Sequence, residues 1–337
     1  MSTDKSTEQR RLPKVAVITT GGTISMRYDP DKGGAVPAIS GEELLQMVPG
    51  LREVAELDLI EFSNLPSCQL TPAIMFDLCR LIRKMVERDD IHGVVVTHGT
   101  DALEETAYMS DLWVDSAKPV VFTAAMRNNS DIGCDGPRNV LSAVRVAACD
   151  DARNGGTLVV FNGRILAARD TIKMHTSNLD AFRSPMLGPV GNVDDDAVVL
   201  FRNSLVRQSL RPKRIVTAVS LLRVYGGMDS ELIFWSLERG NRGLVIEAMG
   251  QGNVPPALLP GLRAWIDAGK PVVLVSRCPE GRAMDSYAYE GGGKQLHNMG
   301  VIFGEDLTGQ KARIKLMLAL GLTSDLKEIR GMFEYLI

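Results

Sequence analysis

Two short runs place hydroxyls, glycines and a carboxylate directly after apolar, β-branched stretches. Thr19-Thr20-Gly21-Gly22-Thr23-Ile24-Ser25 closes the run KVAVITT at residues 14–20, and Thr97-His98-Gly99-Thr100-Asp101-Ala102 closes HGVVVT at residues 92–97. Adjacent glycines let a backbone turn sharply and bring its N–H groups close to a ligand. The first run is not GxGxxG and has no P-loop lysine, so a nucleotide reading is weak. In the second run a carboxylate at Asp101 could hold a substrate ammonium, and a hydroxyl at Thr100 could attack or relay a proton. A purely structural account competes: Asp101 caps a helix that follows, and Glu104 sits in its first turn. Four further clusters fit turn and cap chemistry when taken singly. They are Phe62 to Pro72 (FSNLPSCQLTP), Ala124 to Arg127 with Asp135 to Asn139 (AAMR, DGPRN), Met249 to Asn253 (MGQGN) and Tyr287 to Gly293 (YAYEGGG).

The elements that must position these residues read as an α/β protein. Continuous apolar runs at 14–20, 92–97, 118–124, 157–161, 214–220, 243–248 and 270–276 suit strands buried on both faces. Helical spacing marks 41–47, 73–87, 103–114, 137–148, 228–239 and 257–268 between them. Strand–helix alternation predicts a largely parallel sheet, whose ligand crevice lies beyond the carboxyl ends of its strands. With 337 residues, two domains are expected. The polar, basic stretch 201–213 divides 14–200 from 214–337, and the first 13 residues read as a tail. The segment 191–200 reads as antiparallel.

Composition excludes several functions. Lys and Arg total 38 against 41 Asp and Glu, a net charge of -3, which gives no basic field for a nucleic-acid backbone. No apolar run is long enough to span a bilayer, and the polar N-terminus lacks the apolar segment of a signal peptide. The five cysteines and four histidines show no zinc spacing and no disulfide framework. A reducing, cytoplasmic setting is the expectation.

Read together and in order, TTGGTI, VTHGTDALEETAY, AAMR, DGPRN, GQGN and GQKARIKLMLAL resemble the bacterial-type L-asparaginase/glutaminase family from about residue 14 to residue 320. The resemblance implies a larger flavodoxin-like α/β domain and a smaller α/β domain. It implies hydrolysis of a small-molecule side-chain amide through a threonine acyl-enzyme, with no cofactor and no metal. It also implies a homodimer or homotetramer with active sites between subunits. On this likeness Thr23 falls at the nucleophile, and Thr100 and Asp101 at the second threonine and its aspartate. Ser67 falls at a serine that binds the substrate carboxylate, and Asn253 at an asparagine donated by the neighbouring subunit. Backbone N–H groups near Gly99 and Thr100 would stabilise the oxyanion.

Several positions depart from the family pattern. The family's relay lysine is expected on the helix after DGP, and a gapless count puts Asp150 there. The resemblance on that count implies a member lacking the catalytic lysine, with two carboxylates, Asp101 and Asp150, close together. Arg145 and Lys173 are the nearest basic residues. Cys68 replaces the glutamine after the binding serine, and Ala102 a threonine. No tyrosine falls at the lid position, and Tyr28 is the nearest candidate. Beside side-chain amide hydrolysis stand two alternatives: hydrolysis of another small amide, imide or acyl compound, and a catalytically inactive ligand-binding relative.

Overall fold

The computed structural model describes residues 12–203 and 207–334. Most of the expected tail, residues 1–11, and residues 204–206 of the expected linker lie outside the described residues. The first half of the chain runs β1 (Lys14–Thr19), β2 (Met26–Asp29), β3 (Gly34–Pro37), α1 (Gly41–Gln46), α2 (Leu51–Val54), β4 (Glu56–Glu61) and α3 (Pro72–Val86). It continues through β5 (Gly93–Thr97), α4 (Leu103–Trp113), β6 (Val120–Thr123), α5 (Gly136–Ala147), β7 (Thr157–Phe161) and β8 (Arg164–Ala167). Four short strands follow, β9 (Ile172–Lys173), β10 (Phe182–Arg183), β11 (Gly191–Asp194) and β12 (Ala197–Leu200). The second half holds β13 (Val219–Arg223), α6 (Glu231–Glu238), β14 (Gly243–Ala248), α7 (Leu259–Asp267), β15 (Val272–Ser276), α8 (Gly293–Met299), β16 (Ile302–Phe303), α9 (Gly309–Leu322) and α10 (Leu326–Phe333).

The large sheet has eight strands in the order β12-β11-β8-β7-β6-β5-β1-β4. Strands β4, β1, β5, β6 and β7 are parallel neighbours, whereas β8, β11 and β12 join in antiparallel fashion. The parallel part has the flavodoxin-like order 2-1-3-4-5, whose switch point falls between β1 and β5. Every residue of β5, β6 and β7 is buried, which is why those strands read as unbroken apolar runs. One face packs against α3 and α4 through Ile18, Val94, Val96, Phe76 and Leu103, and the other against α1 and α5 through Val17, Val95, Leu44 and Val144.

The smaller domain is a four-stranded parallel sheet, β13-β14-β15-β16. One of its faces continues the large domain's core through α9, by way of Val245, Val273 and Met317. The other face is closed by α6, α7 and α8 around Trp265. The strand expected at 214–220 begins later, at Val219. Val216 donates its N–H to the Met317 carbonyl on α9 (3.1 Å), so this approach segment lies along a helix before pairing begins. Strand β4 and the β2–β3 hairpin are among the elements with no sequence signal of their own. β4 alternates charged and apolar residues at the sheet edge, and the β2–β3 hairpin is too short and polar to show periodicity.

Candidate active site

The loops after β1 and β5 leave the large sheet side by side at its switch point. Their glycines permit an approach that no side chain would allow. Gly21 and Gly22 have φ of 98° and 85°. A Cβ on Gly22 would lie 2.3 Å from the Gly99 Cα, and one on Gly21 would lie 2.5 Å from the Leu65 nitrogen. The Thr20 hydroxyl and N–H both bond to the Thr97 carbonyl (3.0 and 3.1 Å), and Ser63 Oγ donates to the Thr20 carbonyl (2.9 Å). Three loops are thereby locked together, and Thr23 opens a single 3-10 turn, Thr23–Ser25, beside Gly99. Asn129 Nδ2 secures that turn at the Ile24 carbonyl (2.7 Å).

Ser67 sits against Gly99, where an added Cβ would fall 2.7 Å from its Oγ. Its Oγ accepts from the N–H groups of Asp101 (3.1 Å) and Ala102 (3.3 Å). Ser67 therefore serves the start of α4 in the way a cap residue would, from a separate loop. Ala102, the N-cap, has no side-chain acceptor, and the Asp101 carboxylate does not cap the helix. It turns instead to Lys173.

The ammonium of Lys173 lies 2.8 Å from Thr100 Oγ1 and 2.7 Å from Asp101 Oδ1. The lysine side chain is 17% exposed and the aspartate 65%, so the ion pair stands at the open mouth of the crevice with its cation held inside. The expectation of a carboxylate and no lysine beside Thr100 and Asp101 is thus wrong: Lys173 stands there. Asp150 lies elsewhere, 82% exposed and 3.5 Å from His92 Nε2, just before the start of β5. The reason is the direction of α5. It starts near the carboxyl ends of the strands and runs back, so its 12 residues carry the chain ~18 Å toward the opposite sheet edge. Asp150 and Asp101 do not form a carboxylate pair. Arg145 is also remote from the crevice and bonds to the Asp195 carbonyl. The motifs AAMR and DGPRN act as a clasp: Asp135 accepts from the N–H groups of Met126 and Arg127, and Asn139 Nδ2 donates to the Ala124 carbonyl.

His98 is fully buried, and burial pulls its pKa down to about 4 against the opposing bond to Gly99. Its Nδ1 lies 2.7 Å from the Gly99 carbonyl, which can only accept, so Nδ1 carries the proton. In a trans peptide the C=O and the next N–H point in opposite directions. Anchoring the Gly99 carbonyl on His98 thus turns the Thr100 N–H away from the histidine.

The remaining expected residues are less tightly joined to this group. Cys68 follows Ser67 with an exposed side chain. Tyr28 lies on β2, exposed, opposite Ala35 in the hairpin. Asn253 closes a turn at the end of β14 in the smaller domain, bridged to Met249. Its Oδ1 is buried and has no hydrogen-bond partner among the described residues. Among those residues no group of three or more His, Cys, Asp or Glu is placed to hold a metal ion, and no helix is long and apolar enough to cross a membrane.

Comparison with known proteins agrees with this architecture. Residues 14–206 match the family described as "Asparaginase, N-terminal", and residues 218–333 match "Glutaminase/Asparaginase C-terminal domain". A probable L-asparaginase of Deinococcus radiodurans is 41% identical over 326 residues, covering 96% of this chain and 97% of that protein. An L-asparaginase of Bacillus licheniformis is 37% identical over 91% of this chain and 95% of its own length. The crystal structure of a probable cytoplasmic L-asparaginase from Campylobacter jejuni superposes with a TM-score of 0.85 at 34% identity, covering 95% of this chain and 99% of that one.

Proposed function

The chain belongs to the asparaginase family, and from that premise we propose that it is an amidohydrolase releasing ammonia from the side-chain amide of L-asparagine, with Thr23 as nucleophile. The observation that carries the reading is Lys173 between Thr100 and Asp101. A threonine hydroxyl is a poor nucleophile at neutral pH and needs a route for its proton. The Lys173 ammonium donates to both Thr100 Oγ1 and Asp101 Oδ1, so once it hands a proton to Asp101 its amine can accept one from Thr100, and the three groups can pass a proton. In the first half-reaction Thr23 Oγ bonds to the amide carbon and its proton leaves along this chain. The C–N bond then breaks, and the nitrogen departs as ammonia after gaining that proton. In the second half-reaction water attacks the resulting ester, the acid product leaves and the Thr23 hydroxyl is restored.

The Thr100 N–H, turned outward by the His98–Gly99 bond, is a donor suited to the developing oxyanion, a contribution typically worth about 3–4 kcal/mol. Asp101, 65% exposed and bonded to Lys173 through Oδ1, suits the substrate ammonium. The Ser67 hydroxyl proton is free to meet the substrate carboxylate while its oxygen accepts from two backbone N–H groups. Asn253 completes the reading: its unpartnered Oδ1 and its place in the smaller domain support a role in a neighbouring subunit's site within a dimer or tetramer. Five free cysteines and the cytoplasmic designation of the Campylobacter jejuni relative support a cytoplasmic location. The alternatives of a repurposed substrate or an inactive binder drew on the missing lysine together with the departures at Cys68, Ala102 and the lid tyrosine; Lys173 beside Thr100 and Asp101 weighs against the first of these grounds.

Ammonia release from L-asparagine, with D-asparagine and L-glutamine beside it, tests the reading. Turnover of L-asparagine that disappears in Thr23→Ala is the expected result. An undiminished rate in Thr23→Ala would overturn the nucleophile assignment, and silence on L-asparagine would overturn the substrate.

A further inference from the structure

Lys173 stands on β9, a strand of two residues paired only with the two residues of β10. So short a ladder cannot by itself hold an ammonium within 2.7–2.8 Å of two oxygens on another loop. The bracing comes from the smaller domain. Lys311 on α9 is 1% exposed, and its Nζ donates to the carbonyls of Arg169 (2.7 Å) and Thr171 (2.5 Å), immediately before β9. Arg169 forms a bidentate pair with Asp306, just ahead of α9 (2.9 and 2.6 Å). The neighbouring Gln310 donates to Glu104 Oε1 (3.1 Å) in the first turn of α4, the helix that Thr100 and Asp101 lead into. One turn of α9 thus grips both arms of the Thr100–Lys173–Asp101 group.

We propose that Lys311 is a positioning residue for this site: it acts through the Arg169 and Thr171 carbonyls to hold Lys173 within reach of Thr100 and Asp101. The inference rests on the amidohydrolase reading for its kinetic readout. A buried lysine used only to satisfy carbonyls would be an expensive choice, since burial draws its pKa down to about 8, partly countered by Glu104, Asp170 and Asp111. Its ring contact with Tyr108 on α4, at 5.8 Å, fixes the ammonium from a third side. Misplacement of a reacting group by about 1 Å can cost ~100-fold in rate, so loss of this grip is expected in kcat and not in substrate affinity.

The test compares Lys311→Met, Lys311→Arg and Lys311→Gln in the full chain, assayed well below each variant's melting temperature. In Lys311→Met, kcat should fall ~10- to 100-fold with KM little changed, and Lys311→Arg should recover much of the loss because it keeps the charge and donors. A kcat per folded chain within twofold of the parent would overturn the proposal, as would a fall in activity that only tracks the unfolded fraction. Should Lys311→Met not fold, Lys311→Gln decides, since its shorter amide cannot span both the Arg169 and Thr171 carbonyls as the lysine does: reduced kcat at near-parental stability supports the grip, and unchanged kcat overturns it. Hydrogen exchange at the Met174 N–H, bonded to the Ala181 carbonyl at 2.7 Å, gives a readout independent of activity. It should quicken in Lys311→Met even if L-asparagine proves not to be the substrate, whereas parental exchange would count against the grip. Thr23→Ala in the same assay separates failure of the amidohydrolase reading from failure of this one.

Discussion

Replacing Lys173 by Met removes one ammonium while keeping most of the side-chain volume. Its effect on folding and on catalysis should differ widely. The lysine contacts Thr100 Oγ1 and Asp101 Oδ1, but Asp101 is 65% exposed and water replaces the lost partner readily. An ion pair of that kind contributes about 0–1 kcal/mol to stability. For a chain of this size that is a shift of roughly 2–4 °C or less in melting temperature. Loss of a group that passes a proton in the transition state typically costs ~10²- to 10⁴-fold in rate, or about 3–5 kcal/mol. The assay is ammonia release from L-asparagine at saturation, with thermal unfolding measured on the same preparation. A kcat reduced at least a hundredfold beside a nearly unchanged melting temperature is the expected pattern. A kcat within threefold of the parent would refute the relay, because no other lysine or arginine bonds to either Thr100 or Asp101 among the described residues.

Three further outcomes are expected. Asp150→Asn should leave kcat and KM within about twofold and stability within ~0.5 kcal/mol, as befits an exposed residue outside the site; steady-state kinetics with thermal unfolding check this. Gly99→Ala should lower stability by ~1–3 kcal/mol and raise KM, because its Cβ would meet Ser67 Cβ and Oγ at 2.7 Å and push the binding serine from the Asp101 and Ala102 N–H groups. Asp111→Asn should make the protein lose stability faster on acidification between about pH 6 and pH 4. Burial raises the Asp111 pKa to about 6, so the folded state holds an extra proton there, and stability from this group falls as pH rises. Burial lowers His98 to about 4, so the unfolded state holds the extra proton, and stability from that group falls as pH drops. The two slopes oppose each other in the parent. Removing the aspartate should steepen the acid side by up to ~1.4 kcal/mol per pH unit, read by urea unfolding across that range.

Much of the site was legible because its chemistry coincides with its architecture. A β-branched run followed by glycines and hydroxyls marks a strand end, and two such ends at a switch point mark a crevice. The segments that carry Thr23, Thr100 and Asp101 could be found that way, whereas the roles given to Thr23 and Ser67 came by likeness. Lys173 could not be fixed, since β9 is too short to show any period and a loop excursion sets its place. Counting along α5 chose the wrong element, although helix direction alone argues against it: the residue after a helix packed antiparallel to the strands lies at the far edge of the sheet. Lys311 was visible within GQKARIKLMLAL beside Arg313 and Lys315, but nothing in the run says which of these cations turns to which neighbour. The late start of β13 was hidden for a related reason, because β-branched residues packed along a helix resemble those in a sheet.

The grip of α9 on the segment ahead of Lys173 also bears on how the molecule comes into being on the ribosome. Thr23, Ser67, Thr100, Asp101 and Lys173 are all synthesised before residue 201, whereas Lys311 emerges about 140 residues after Lys173. At ordinary elongation rates that is a delay of ~10–30 s. Throughout it the nascent chain holds the proposed reactive side chains but lacks the helix whose Lys311 bonds to the Arg169 and Thr171 carbonyls. Under the proposed grip of Lys311, a truncated translation product carrying only the large domain should be a poor amidase even though it contains Thr23, Thr100, Asp101 and Lys173.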